Sequence, residues 1–217
     1  MSFGQARPDP VENALARRRY DRIAPVYDLM NLCAELAFRR WREWLWKNAP
    51  DRGRIVEVGI GTGRNIPYHP REAQVVGVDL SPRMLARARR RREKLRAQTE
   101  LILGDAQALR LSDGSVDAAF ATFVFCSVPD PVLALKELRR VMKPGARAYF
   151  FEHMRATDER IGQVMDALNP LIVRLLGFNI NRRTLDNMRQ AGLEIEQTLD
   201  VGLGGIVKVV LARAPVP

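Results

Sequence analysis

The stretch 55-IVEVGIGTGRNIPYHP-70 decides how the rest of the chain is read. An apolar, β-branched run ends in glycines at alternate positions, Gly59, Gly61 and Gly63. Glycines at such a turn let the backbone come close to a ligand. A nucleotide triphosphate site requires G-x-x-x-x-G-K-[ST], and no Lys-Ser or Lys-Thr follows these glycines. A dinucleotide site requires G-x-G-x-x-G, whereas the order here is G-x-G-x-G. The next acid does match: Asp79 ends a second β-rich run 20 residues after Gly59, where a carboxylate can grip ribose hydroxyls. Strand, glycines, helix, strand and acid in this order point to a cofactor of the adenosine type.

Outward from this stretch, short β-rich runs alternate with helical patterns from Arg54 onward, the mark of an α/β fold with a parallel sheet and crossover helices. Strands are predicted at 54–60, 74–80, 100–105, 116–124, 146–153, 193–200 and 205–213. Ser81-Pro82 starts a helix over 81–96, and a second, over 129–145, stops at Pro144-Gly145. The last two strands, separated by 202-GLGG-205, read as a hairpin closing an edge. Two regions stand outside the alternation. Residues 9–50 read as wholly helical, with Leu32, Leu36, Trp41, Trp44 and Leu45 as an apolar stripe against Arg39, Arg40, Arg42 and Lys47. The insert 157–184 carries a helix that Pro170 is expected to break or kink. Both are expected over the carboxyl ends of the strands, where open α/β sheets bind ligands. This predicts a helical cap at 1–50, with a possible membrane contact, and a cofactor domain at 51–217 with a substrate-covering insert at 157–184.

With 217 residues and 47% hydrophobic residues the chain can bury one sizeable core. Cys33 and Cys126 make no disulfide framework. Residues 1–10 are polar and contain proline, so no signal peptide is expected. The longest apolar run, 118-AAFATFVFCSV-128, is too short to span a bilayer and reads as a buried strand with its exit loop. Thirty-five Lys and Arg against 25 Asp and Glu give a net charge of +10. Residues 83–96 hold eight of those bases and one acid, so +7 lies in one helical segment. Such a face meets nucleic acid or an anionic bilayer, or is the solvated side of a surface helix.

The ordered segments 57-EVGIGTG-63, 75-VVGVDLS-81, 104-GDAQAL-109, 113-DGSVDAAFATFVFCSV-128 and 137-ELRRVMKPGARAYFFEH-153 resemble the motifs of class I S-adenosylmethionine-dependent methyltransferases. The resemblance covers about residues 20–213. It implies a Rossmann-like, seven-stranded, mostly parallel sheet with a C-terminal antiparallel hairpin, helices on both faces and an N-terminal helical cap. It also implies S-adenosyl-L-methionine as cofactor and no metal. Glu57, Gly59, Gly61, Thr62 and Gly63 would face its methionine part. Asp79, followed by Leu80, would hold the ribose, Asp105 with Ala106 would read the adenine edge, and Thr122 would flank the methionine moiety.

Within the class, 20-YDRIAPVYDLMN-31 is similar to the amino-terminal signature of quinone-biosynthesis C-methyltransferases, in which Tyr27 would cover the cofactor. Cys126-Ser127-Val128, Phe151-Glu152-His153 and 177-GFNINRRT-184 depart from that group and look more like the bacterial phosphatidylethanolamine N-methyltransferases. This implies methylation of the phosphatidylethanolamine amine, stepwise toward phosphatidylcholine, by a monomer on the cytoplasmic side of an anionic membrane. A quinone-ring C-methyltransferase and a soluble small-molecule methyltransferase are the alternatives. A nucleic-acid acceptor is not expected, because FCSVPD stands where adenine-amino enzymes carry [DN]-P-P-[FYW], and Cys126 lacks the proline-cysteine context of a cytosine-C5 nucleophile.

An amine with a pKa near that of lysine, about 10.4, is almost wholly protonated at neutral pH, so an N-methyltransferase must desolvate it or accept its proton. His153 and Tyr20 are the candidates for that role. Asn179, Arg182 and Arg183 are the candidates for a phosphate. Trp41, Trp44 and Trp46 among arginines suit an interfacial helix, or else pack on the sheet.

Overall fold

In the computed structural model, which describes residues 7–216, the glycine turn follows an inner strand of the sheet. Part of the polar amino-terminal stretch, residues 1–6, lies outside the described residues. The strands are β1 (Arg52–Val58), β2 (Glu72–Asp79), β3 (Glu100–Leu103), β4 (Val116–Thr122), β5 (Met142–His153), β6 (Glu194–Gly202) and β7 (Val207–Arg213), in the order β3-β2-β1-β4-β5-β7-β6. Strands β1 to β5 pair in parallel, while β7 runs antiparallel between β5 and β6. The predicted hairpin is present, with β6 as the edge. The sheet is thus seven-stranded and mostly parallel, as expected.

Both faces of β1, β4 and β5 are apolar, as buried parallel strands require. One face carries Val56, Val58, Ala119, Ala121 and Phe150 against α5 (Pro131–Val141) and α7 (Thr184–Gln190). The other carries Ile55, Phe120, Tyr149 and Phe151 against Leu45 and Trp46 of α3 (Leu32–Lys47). There Trp46 stacks on Phe120 at 3.9 Å between ring centroids, and Phe120 on Tyr149 at 4.5 Å. The helix α4 (Pro82–Leu95) begins as predicted: Pro82 takes its first turn and the Ser81 hydroxyl accepts the Met84 N–H at 3.0 Å.

The region 9–50 is not one run of helix. It divides into α1 (Pro10–Ile23), α2 (Tyr27–Met30) and α3, because Pro25 has no N–H to continue α1. The expected stripe on α3 is also rearranged. Leu32 and Leu36 are 47% and 70% exposed, while Arg42 is buried and donates to Asn65 Oδ1 and Glu35 Oε1, each at 2.6 Å. Trp46 is buried on the sheet and takes no part in an interface. Periodicity misses this because the charge of Arg42 is met by Glu35 two turns earlier on the same helix and its second partner, Asn65, comes from beyond the glycine turn. The insert differs as well: α6 (Glu159–Leu176) runs unbroken through Pro170, which sits on its exposed side, where water can take the carbonyl it leaves free.

The basic segment 83–96 is partly turned inward. The Asp28 carboxylate accepts from Thr62 Oγ1 (2.7 Å), Arg64 Nε (3.0 Å), Arg91 Nη2 (3.0 Å) and Arg87 Nη2 (3.1 Å). Asp21 accepts from Ser81 Oγ at 2.6 Å, and the Arg83 guanidinium donates to the Asp21 carbonyl at 3.2 Å. Arg89, Arg90, Lys94 and Arg96 stay exposed. Three of the eight bases, Arg83, Arg87 and Arg91, therefore dock α1 and α2 onto α4. Burial works to raise the Asp28 pKa, but the Thr62, Arg87, Arg91 and Arg64 interactions outweigh it and hold it below its ordinary value.

Two stability tests follow from this packing. Trp46→Ala removes the central ring of the aromatic stack and should cost about 3–5 kcal/mol in urea unfolding. Asp28→Asn should cost about 1–3 kcal/mol by the loss of charge-assisted bonds. Because the folded pKa of Asp28 is depressed, this difference should be full above its ordinary value of 3.8 and shrink as pH falls below it.

Candidate active site

A cavity opens at the carboxyl ends of β1, β2 and β4, under α1 and α2. Its wall includes Tyr20, Tyr27, Gly59, Gly61, Asp79, Leu80, Asp105, Ala106 and Thr122, all predicted from sequence to lie at the cofactor or the acceptor, together with Met84, Phe123, Val124 and Ser127, which were given no such role. Gly59 has φ +64° and a Cβ there would meet Val124 at 2.4 Å, so only glycine fits. Gly61 has φ +57°, and a Cβ there would meet nothing closer than the Gly59 carbonyl at 3.9 Å. The second glycine therefore leaves room beside the backbone instead of filling a tight contact.

Asp79 closes this turn. Its Oδ2 accepts the Gly61 N–H and its Oδ1 the Ser81 N–H, both at 2.8 Å. Burial pushes its pKa up to about 6 against those two backbone donors, with Glu57 and Asp21 adding repulsion. Asp105, beyond β3, accepts from the Asn13 side chain at 2.6 Å and from the Gln107 N–H at 2.9 Å. Asn13 thereby joins α1 to the cavity, a contact that only folding brings about.

Glu57, Thr62 and Gly63 stand behind this wall. Glu57 is buried, accepting from Asn65 Nδ2 at 2.6 Å and lying 2.9 Å from His69 Nε2. Asn65 Nδ2 also reaches Thr122 Oγ1 at 3.1 Å, and Asn65 Oδ1 accepts from Arg42. Thr62 is used by Asp28, and a Cβ on Gly63 would strike Ile66 at 2.6 Å and the Ala88 backbone at 3.1 Å. These positions brace the turn.

Beside the cavity, on the α3 side of the sheet, lies a half-buried group of rings. Phe123 is shared with the cavity and holds φ +55°, a strained conformation for a bulky residue. Its ring lies 6.2 Å from Phe38, 4.7 Å from Phe151 and 6.3 Å from His153, and His153 lies 5.6 Å from Phe178. His153 Nε2 donates to the Asn179 carbonyl at 3.0 Å, which leaves the Nδ1 lone pair free. Burial lowers the His153 pKa, partly opposed by that bond, so the ring is neutral at pH 7. Under the same loop the Glu152 carboxylate accepts the Val124 N–H at 2.8 and 3.1 Å. It was missed because nothing in sequence distinguishes a buried loop clamp from a surface acid.

The remaining predicted residues are engaged elsewhere. Asn179 Nδ2 donates to the Cys126 carbonyl at 3.1 Å, and Arg182 Nη2 to the Val128 carbonyl at 2.9 Å. They tie the insert to the loop after β4, and of the three phosphate candidates only Arg183 is exposed. Tyr20 and Tyr27 stand 6.4 Å apart, and burial raises both phenols, Tyr27 to about 12. Burial also pushes the Cys126 thiol far up, which removes it as a nucleophile. Among the described residues no group of acids, histidines and cysteines could hold a metal ion.

The methyltransferase-domain family model matches residues 56–150. A phosphatidylethanolamine N-methyltransferase of Cereibacter sphaeroides is 34% identical over 160 residues, covering 71% of this chain and 76% of that protein. A demethylmenaquinone methyltransferase of Thermus thermophilus is 38% identical over 142 residues, covering 61% of this chain and 63% of that protein. Among solved structures, a methyltransferase of Thermotoga maritima, described as a possible histamine N-methyltransferase, superposes with a TM-score of 0.70 at 26% identity, covering 92% of this chain and 99% of that one. The glycine turn, Asp79 and the sheet order thus agree with the matched sequences: the chain belongs to the class I S-adenosylmethionine-dependent methyltransferases.

Proposed function

We propose that the chain methylates the amine of phosphatidylethanolamine at a membrane surface, stepwise toward phosphatidylcholine. The observation that carries this reading is geometric: His153 stands in one ring cluster with Phe38, Phe123 and Phe178, next to the cavity at the glycine turn. Aromatic faces attract an ammonium, and an apolar enclosure lowers its pKa.

S-adenosyl-L-methionine supplies an electrophilic methyl group on a sulfonium when bound. The wall suits it: Gly61 leaves open space beside its backbone, and two carboxylates face one cavity. In this reading Asp79 accepts the ribose hydroxyls, while Asp105 and Ala106 meet the adenine edge. Leu80, Gly59, Gly61 and Thr122 line the remainder, and Tyr27 covers it. Glu57, Thr62 and Gly63 act by holding the turn. His153 Nδ1 takes the proton that the ammonium must lose to free its lone pair; as the nitrogen then bonds to the methyl carbon, the carbon–sulfur bond would break and the thioether S-adenosyl-L-homocysteine would leave. Tyr20 has its phenol raised by burial and stays protonated, so it serves as a hydrogen-bond donor and a wall. Arg183 is the residue free to meet a lipid phosphate. Arg182 and Asn179 shape the loop behind it. Alignment and exclusion of water can supply roughly 7–11 kcal/mol of the barrier reduction. A quinone-ring C-methyltransferase is the second reading, favoured by the relatives of that activity and by the flat rings of Phe38 and Phe123.

Two measurements test this reading. Asp79→Ala should weaken S-adenosylhomocysteine binding by roughly 10–100-fold in calorimetry. The wild-type affinity should fall as pH drops through about 6, because the carboxylate must be ionised to accept, whereas the variant should not follow that titration. Unchanged affinity in the variant would remove Asp79 from the site. Incubation with methyl-labelled cofactor and mixed-lipid vesicles should place label in mono- and dimethylated phosphatidylethanolamine. Label found only in a quinone would transfer the assignment to the second reading.

A further inference from the structure

The helix α6 packs with one side on the domain and carries an apolar row on another. Its inward side carries the buried Met165 and Asn169, whose amide bonds the Asn179 side chain at 3.1 Å and the Ile180 N–H at 2.9 Å. Ile161, Val164, Leu168, Leu171 and Leu175 face away from that contact, each between 43% and 68% exposed. At about 3.6 residues per turn they fall within a stripe roughly 80° wide. A helix that is apolar beyond its buried side, with a continuous exposed row, marks a surface that meets another apolar phase.

Charge selects the occupant. Arg155 pairs with both acids of α6, with Glu159 at 2.8 Å and with Asp166 at 3.0 Å, which leaves that group one net negative charge. Arg160 and Arg174 remain exposed on the helix, and Arg19 of α1 reaches the Gly177 carbonyl at its carboxyl end. With the N-cap Asp158 included, the four bases around α6 exceed its three acids by one, and the chain as a whole carries +10. Two copies of a chain carrying +10 repel each other, whereas an anionic bilayer attracts it. No described helix is long and apolar enough to cross a membrane, so the fit is to a surface.

We infer that α6, and not the tryptophan-bearing α3, is the element that docks on an anionic lipid surface, with its stripe of Ile161, Val164, Leu168, Leu171 and Leu175 in the interface. This rests on the reading of a lipid-borne acceptor given above. Its location fits that reading, because the inward side of α6 holds Asn179, whose carbonyl orients His153. A bilayer under the stripe then places acceptor headgroups beside the ring cluster.

The test is co-sedimentation with vesicles of phosphatidylglycerol and phosphatidylcholine, using the full chain and the variant L168E/L171E/L175E. These leucines are exposed and remote from the cavity wall, so the variant should keep its affinity for S-adenosylhomocysteine, which reports folding. The wild type should bind anionic vesicles, and the variant should bind at least about tenfold more weakly, as withdrawal of three leucines from lipid requires. Equal binding by the variant would overturn the inference, as would failure of the wild type to bind. A wild-type dimer that the variant converts to a monomer would assign the stripe to a second copy instead. Because the readout is vesicle binding, methyl label in a quinone would displace the acceptor and leave the docking face standing.

Discussion

The site depends on one carboxylate, Asp28. It sits in the short helix between α1 and α3 and is gripped by Thr62 and Arg64 from the glycine turn and by Arg87 and Arg91 from α4. Three guanidinium groups converging on one another would repel without it. With it, the cap, the turn and the first crossover helix become one unit, and Tyr20 and Tyr27 are carried over the cavity. Part of the +7 of residues 83–96 is explained by this internal task.

A second buried chain of contacts sets the floor. From Glu35 through Arg42, Asn65 and Glu57 to His69, each polar group finds its partner in the next, and Asn65 also reaches Thr122 at the end of β4. Buried polar groups are costly unless satisfied, so this chain constrains the turn more tightly than apolar packing alone. The turn meets the cavity only through Gly59 and Gly61. In that light Glu57 and Gly63 are braces, and a substitution at either would act by displacing the backbone.

The sheet, its strand positions and the cavity wall were legible because their signals are local: β-branched runs, glycines at a turn, an acid at a set distance. Asp79 could be named on those grounds, whereas Asp105, Tyr20 and Tyr27 were named through the resemblance to methyltransferase motifs. Arg42, Trp46, Asn13 and Glu152 could not. Each owes its environment to a residue far along the chain, and helical periodicity assigns an arginine to solvent and a flanking tryptophan to an interface. The break at Pro25 was visible in principle, since proline ends helices, while the continuity of α6 through Pro170 depends on which side of the helix faces water. The phosphate candidates Asn179 and Arg182 show the same limit, because their carbonyl partners lie on a loop some 50 residues away.

The cap, through Tyr20 and Tyr27, is a wall of the cavity proposed to hold the cofactor, and not an independent appendage. Hydrogen–deuterium exchange with and without S-adenosylhomocysteine tests this most directly. Added ligand should slow exchange together at residues 10–30, at the glycine turn 59–63 and at the start of α4. Slowing at the turn with no change across 10–30 would contradict it, because the cap would then take no part in enclosing the cofactor.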